Sequence, residues 1–252
     1  MTQDPFVPPA GPTPPTGPMP SAAPVSSDVH GPSLHQPYGT PPQLLPPLRS
    51  TAGLGTGAIV LASAWTVTRV LTLLLAPQGA EAMTRAAEAG LAAIDSDFTA
   101  YDGMGILSVV VQIAAFVVTS LWLYQSRSTA VAANPTFVHK RGPVWAWLGW
   151  WVPVVSFWFP FQVVRDVRRA TAPGPVSGIE SWWGAWIVFL CTSNLVGRLT
   201  AAGSAGSAES AADVMVPLEA VSTVAMVVGL FLWIRIIRDV TRAQRERIAA
   251  LG

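Results

Sequence analysis

Few residues here could do chemistry in an apolar setting, and they are isolated charges inside apolar runs. Arg69 is the one charge in residues 54–76. Asn194 and Arg198 fall one helical turn apart near the end of residues 182–200. Glu219 opens residues 214–237, and Asp102 stands just before residues 104–124. A charge in the middle of a bilayer costs on the order of 3 kcal/mol on insertion scales, so it is kept only with a partner or a role. Two structural pairs follow: Arg69 with an outer acid such as Asp102, and Arg198 with Glu219. The other reading of Arg69 is a polar pocket on a substrate or proton path. Asp166 lies among Arg165 and Arg169, which reads as a local ion pair. His139 stands in a basic loop and reads as solvated.

Catalytic signatures are missing from the sequence. There is no G-x-S-x-G, H-E-x-x-H or P-loop, and no paired carboxylates within an apolar run. The single Cys191 allows neither an intrachain disulfide nor a cysteine metal cluster. No catalytic residue, metal site or cofactor is assigned, and the chain reads as non-enzymatic. No basic-aromatic platform suggests nucleic acid.

The elements that must position these charges are helices in a membrane. The chain has 252 residues, 51% hydrophobic and 12% charged, with a net charge of +1. Soluble domains carry about 25% charged residues. An all-α helical membrane bundle is expected over residues 49–245, with spans at 54–76, 104–124, 182–200 and 214–237. Each is near the length of about 20 apolar residues that crosses a bilayer core. Pro77-Gln-Gly79 should end the first span, and residues 80–100 should form a separate amphipathic surface helix. Trp182, Trp183 and Trp186 suit an interfacial aromatic belt. Residues 1–48 hold 15 of the 23 prolines and almost no large apolar residues. They read as a disordered cytoplasmic tail and a possible ligand for a protein partner. Residues 246–252 read as a short C-terminal tail.

One stretch is neither span nor loop. Residues 141–169 hold five of the 11 Trp residues, with Pro143, Pro153 and Pro160, and basic residues close both ends. Positive charge marks the cytoplasmic side. Arg127, His139, Lys140 and Arg141 precede the stretch, Arg165, Arg168 and Arg169 end it, and Arg235–Arg247 close the chain. All these fall on one side only if the stretch enters and returns. Residues 143–160 are therefore expected as a re-entrant segment, with a half-helix through Trp151 and a break between Pro153 and Pro160. Residues 161–170 should form an interfacial helix with Val163, Val164, Val167 and Ala170 on its apolar side. Its arginines would meet anionic headgroups on the cytoplasmic side.

The run Gly149-Trp-Trp-Val-Pro-Val-Val-Ser-Phe-Trp-Phe-Pro-Phe-Gln-Val-Val-Arg-Asp-Val-Arg-Arg-Ala170 resembles the signature of a bacterial membrane family catalogued as domain of unknown function 4328. Trp151, Pro153, Pro160, Arg165 and Asp166 match its pattern. Ser156, Phe159 and Phe161 replace the usual Asn, Arg and Tyr, which removes polar groups. Asn194, Gly197 and Arg198 resemble a second, shorter pattern. The likeness covers about residues 50–245. It implies a membrane fold in a bacterium and no activity; the plasma membrane is expected, and the Arg-rich C-terminus with four spans places both termini in the cytoplasm.

Three functions stay open. The favoured one is a non-enzymatic scaffold or partner-binding protein. The alternatives are a small transporter or channel with a polar pocket at Arg69, and a lipid-modifying membrane enzyme.

Overall fold

The computed structural model describes residues 50–91, 96–152, 154–172, 178–202 and 205–251, with the side chains of 200–209 and 251 excepted. The Pro-rich segment 1–48 and Pro153 lie outside the described residues. The described chain is helical throughout, and no strand occurs among these residues. Its elements are α1 (Ala52–Glu88), α2 (Ala100–Ala133), α3 (Trp145–Trp151), a 3₁₀ turn (Val155–Phe157), α4 (Phe159–Thr171), α5 (Ile179–Ala202) and α6 (Ala205–Leu251).

Three of these helices, α1, α2 and α6, are long and apolar enough to cross a membrane, where four had been expected. The shortfall is at α5. α5 is not among these three, and its described part carries Trp182, Trp183, Trp186, Ser193, Asn194 and Arg198 between its apolar residues. At 7 and 13 residues, α3 and α4 are too short to cross.

Two expected boundaries also move. The helix that begins at Ala52 does not stop at Pro77 but continues to Glu88, so no separate surface helix starts at residue 80. Pro77 removes one backbone hydrogen bond. Packing beyond it carries the helix on: Ala76 and Met83 bury against Ala211, Ala212 and Met215 of α6. Likewise Pro217 and Glu219 lie well inside α6, and residues 246–251 continue that helix rather than forming a tail. Both prolines sit on exposed helix faces, where a lost hydrogen bond leaves no buried carbonyl stranded.

The packing order across the bundle is α2, α1, α6, α5. Thr51 at the start of α1 donates to Gln244 near the end of α6, so these two helices run antiparallel. Gln244 in turn donates to the Ser126 carbonyl near the end of α2. This end of the bundle gathers Arg127, Arg141, Arg165 and the arginines of α6, and is called the basic end below. There α3 and α4 fold back on one another and pack against α2, α5 and α6. Ala146, Val163, Val164 and Val167 join Trp122, Trp182, Trp233 and Ile237 in the largest core cluster.

Trp65, Trp122, Trp182 and Trp233 are buried in the core. Trp182 is 4% exposed and stacks on Trp233 with ring centroids 4.9 Å apart. Trp233 meets Trp122 edge-on at 5.6 Å. A second layer joins Trp65, Phe116, Trp150, Trp186 and Phe189, all edge-on, tilted or offset as ring quadrupoles favour. The expected interfacial belt at Trp182–Trp186 is therefore corrected for Trp182, which is a buried core ring. Trp150 of α3 reaches this second layer, so the hairpin inserts between α2 and α5 from the basic end.

Candidate functional site

Above the Phe116–Trp186 contact, α2 and α5 are not a packed pair. A cleft of about 330 Å³ opens between them. Gly105, Ser108, Val109 and Gln112 of α2 form one wall, and Leu190, Ser193, Asn194, Gly197 and Arg198 of α5 the other. Trp65 and Arg69 of α1 form its floor with Phe189. The sequence explains the gap. Small and polar residues occupy both walls, so neither helix offers a ridge to fill the other's groove. On the opposite side of the aromatic layer, the same Trp65 and Phe189 border an apolar chamber of about 60 Å³.

The floor holds a buried ion pair. The Arg69 Nη2 donates to Glu219 Oε2 at 2.5 Å, with the two side chains 13% and 2% exposed. The second carboxylate oxygen, Oε1, accepts from the Tyr101 hydroxyl at 2.9 Å. Arg69 Nη2 also lies 3.4 Å from Ser222 Oγ, which shares a 2.8 Å hydrogen bond with Ser193. Four helices are thus joined by one polar network around the Arg69–Glu219 pair. The guanidinium lies over Phe189, with Cζ 5.8 Å from the ring centre. Arg69 Nε is buried without a hydrogen-bond partner. Coordination of this kind repays the desolvation of a buried pair only because both carboxylate oxygens are satisfied.

This arrangement corrects both expected pairs. Asp102 does not reach Arg69. It caps α2, accepting from the Thr99 backbone N–H and hydroxyl at 2.7 Å each. The capping box satisfies N–H groups that a helix start leaves orphaned. Glu219 pairs with Arg69 and not with Arg198. Arg198 lines the cleft, and among the described residues no carboxylate lies within ion-pairing distance of it. Asn194 lines the cleft one turn below and donates to the Leu190 carbonyl at 2.8 Å, which leaves its side-chain oxygen available. Tyr101, Ser193 and Ser222 were missed by sequence reasoning, because uncharged hydroxyls in apolar helices give no signal at a distance. Gly105 was missed as a wall because a glycine has no side chain to signal one, and Gly197 stood in the shorter resembled pattern without that role.

The signature residues form a second polar group, at the basic end. Asp166 is 3% exposed and accepts the Lys140 backbone N–H at 2.8 Å. It therefore faces the α2–α3 connector, and the expected ion pair with Arg165 and Arg169 is corrected. One turn earlier, Gln162 accepts from Arg141 Nε at 2.7 Å. Arg127 donates to the Arg141 carbonyl. Gln162 and Asp166, four residues apart on one helix face, thus latch the connector onto α4. Two positions that depart from the resembled pattern carry rings beneath arginines. Arg141 lies 3.9 Å over Phe159, and Arg165 lies 5.0 Å over Phe161. Pro160 starts α4, where its missing N–H is harmless. Trp151 ends α3, half exposed, against the edge of Phe116.

His139 is only part-exposed, and both ring nitrogens lack partners, so it is not the solvated residue expected. Burial lowers its pKa from 6.5, and the neighbouring Arg127 lowers it further against a smaller opposing pull from Asp166. Among the described residues no group of three His, Cys, Asp or Glu side chains is placed to hold a metal.

A family model described as Domain of unknown function (DUF4328) matches residues 84–242. That span takes in α2, the signature hairpin, α5 and most of α6, and so both walls of the cleft. No curated protein and no solved structure matches the chain.

Proposed function

The chain belongs to the DUF4328 family, whose description assigns no activity, and within it we propose a multi-pass integral membrane protein that binds a small polar group in the Arg69 cleft. This is the work of a carrier rather than of a scaffold. The observation that carries it is the cleft itself: two arginines and several amide and hydroxyl groups converge where no acid lines the wall. Convergent polar groups in a concave, otherwise apolar setting are the usual form of a small-molecule site. A scaffold has no use for a polar cleft between apolar helices.

We read the membrane arrangement as follows. α5 crosses together with α1, α2 and α6 because it packs along α6 and its least apolar side borders the cleft. The α3–α4 hairpin enters from the basic end and returns to it. The basic end faces the cytoplasm of a bacterium, by the bias of Lys and Arg toward that side. Both termini then lie inside, and Arg165, Arg168 and Arg169 approach anionic headgroups of the inner leaflet.

Thiol accessibility tests the binding reading. In a Cys191→Ser background, a water-soluble thiol reagent should label Asn194→Cys in the cleft and spare Val188→Cys on the exposed apolar face of α5. Equal protection of both positions would mean a closed gap or one filled by acyl chains, and would refute a polar-ligand site.

A further inference from the structure

The chemistry of the cleft and the position of its mouth together define a class of ligand. We infer that the cleft binds the headgroup of a membrane amphiphile carrying one phosphate or carboxylate, which enters sideways from the bilayer between α2 and α5. This rests on the reading of the cleft as a binding site and names its ligand.

Charge sets the sign. Arg69 is offset by Glu219, which lies behind it, whereas Arg198 on the rim is offset by no carboxylate among the described residues. The cleft therefore carries a net positive charge that an anion would neutralise. Arg69 Nε is a buried donor with nothing to donate to, and Asn194, Ser193, Ser108 and Gln112 surround the same space. Guanidinium forks are the side chains best suited to phosphate and carboxylate oxygens.

The mouth sets the rest. Toward the basic end the gap between α2 and α5 is filled by Trp150, and the cleft stops on the rings of Trp65 and Phe189. Between the two helices its lining reaches the flank of the bundle at Val109, which is 53% exposed. That flank is apolar: Ile106, Val109, Val110 and Ile113 are exposed on α2, and Leu195 on α5. A polar floor behind an apolar rim matches an amphiphile whose head is inside and whose chains stay in lipid. A cleft of about 330 Å³ is at the small end of ligand sites and suits a headgroup, not a whole lipid. Two wall residues are glycines, Gly105 and Gly197, and a side chain added at either would meet open space. The wall is thus kept bare on both helices.

The test uses the full chain in nanodiscs of phosphatidylcholine containing a minor fraction of phosphatidic acid, with the retained lipid read by native mass spectrometry. Wild type should keep one phosphatidic acid in about tenfold preference to phosphatidylcholine, the size expected of one or two charge-assisted hydrogen bonds. Arg198→Gln should reduce that preference to parity. Gly105→Phe should do the same by filling the cleft. Arg245→Gln, at the basic end, should leave it intact. Equal retention in wild type, Arg198→Gln and Gly105→Phe would place the lipid elsewhere and overturn the proposal. Displacement of the lipid by millimolar inorganic phosphate would show a site for a soluble anion and overturn the amphiphile. Loss of the preference while Asn194→Cys stays labelled would remove this ligand class and leave the polar cleft standing.

Discussion

Arg69 of α1 and Glu219 of α6 form an ion pair at 2.5 Å, 150 residues apart in sequence, with Glu219 2% exposed. The pair ties the two helices that pack most extensively, and Tyr101 adds a third through the other carboxylate oxygen. Removing one partner leaves the other charged and buried, whereas removing both does not. Arg69→Leu or Glu219→Leu alone should cost about 3–5 kcal/mol, and the double variant should recover much of that. A double-mutant cycle on thermal unfolding in detergent measures the coupling. Additive losses would mean that the pair contributes no mutual stabilisation.

Gly79 is where α1 meets α2 and α6 most closely. A Cβ there would come within 2.7 Å of Met215 Cε and 2.9 Å of Tyr101 Cδ1. Gly79→Ala should therefore destabilise the bundle by about 1–3 kcal/mol through overpacking. Gly53→Ala, in the same helix with nothing within 4 Å, should be neutral or raise stability by up to about 1 kcal/mol. Comparing the two melting temperatures separates backbone propensity from contact.

Asp166 holds the connector by the Lys140 N–H. Asp166→Ala leaves that N–H without its acceptor and should cost about 1–3 kcal/mol, while Asp166→Asn keeps a side-chain oxygen and should cost less. Trypsin cleavage after Lys140 and Arg141 in inside-out vesicles is the local readout. It should accelerate in the order wild type, Asp166→Asn, Asp166→Ala.

His139 makes this same connector sensitive to acid. Its pKa in the fold is lowered from 6.5 by burial first and by Arg127 second. The folded state therefore binds the proton less well than the unfolded chain. The stabilisation is fully present above 6.5 and is lost as pH falls through the lowered value. The melting temperature should drop between pH 7.5 and 5.5, and His139→Gln should flatten part of that drop. An unchanged slope in the variant would exclude His139 as the sensor.

The hairpin reading predicts sidedness. In the Cys191→Ser background, His139→Cys and Thr171→Cys should label from the same face of the membrane, together with Gly252→Cys. Labelling of His139→Cys and Thr171→Cys from opposite faces would require a crossing between them, which 7-residue and 13-residue helices cannot make alone.

What the sequence determined is what local chemistry determines. Long apolar runs set α1, α2 and α6, each long and apolar enough to cross a membrane. The break after Trp151 and the start of α4 near Pro160 follow from proline geometry. The apolar side of α4, with Val163, Val164, Val167 and Ala170, follows from helical period and is buried in the core. Tertiary structure decided everything that needed two distant helices. Pro77 reads as an end, yet packing of Ala76 and Met83 on Met215 carries α1 through. Arg69 reads as the partner of an outer acid such as Asp102, and only the register of α1 against α6 selects Glu219. Asp166 looked like a partner for arginines beside it, but its helix face turns to the connector, where a backbone N–H waits. The cleft itself is a place where helices fail to touch. A sequence period records which face of a helix is apolar, and is silent on which neighbour that face meets or where two neighbours part.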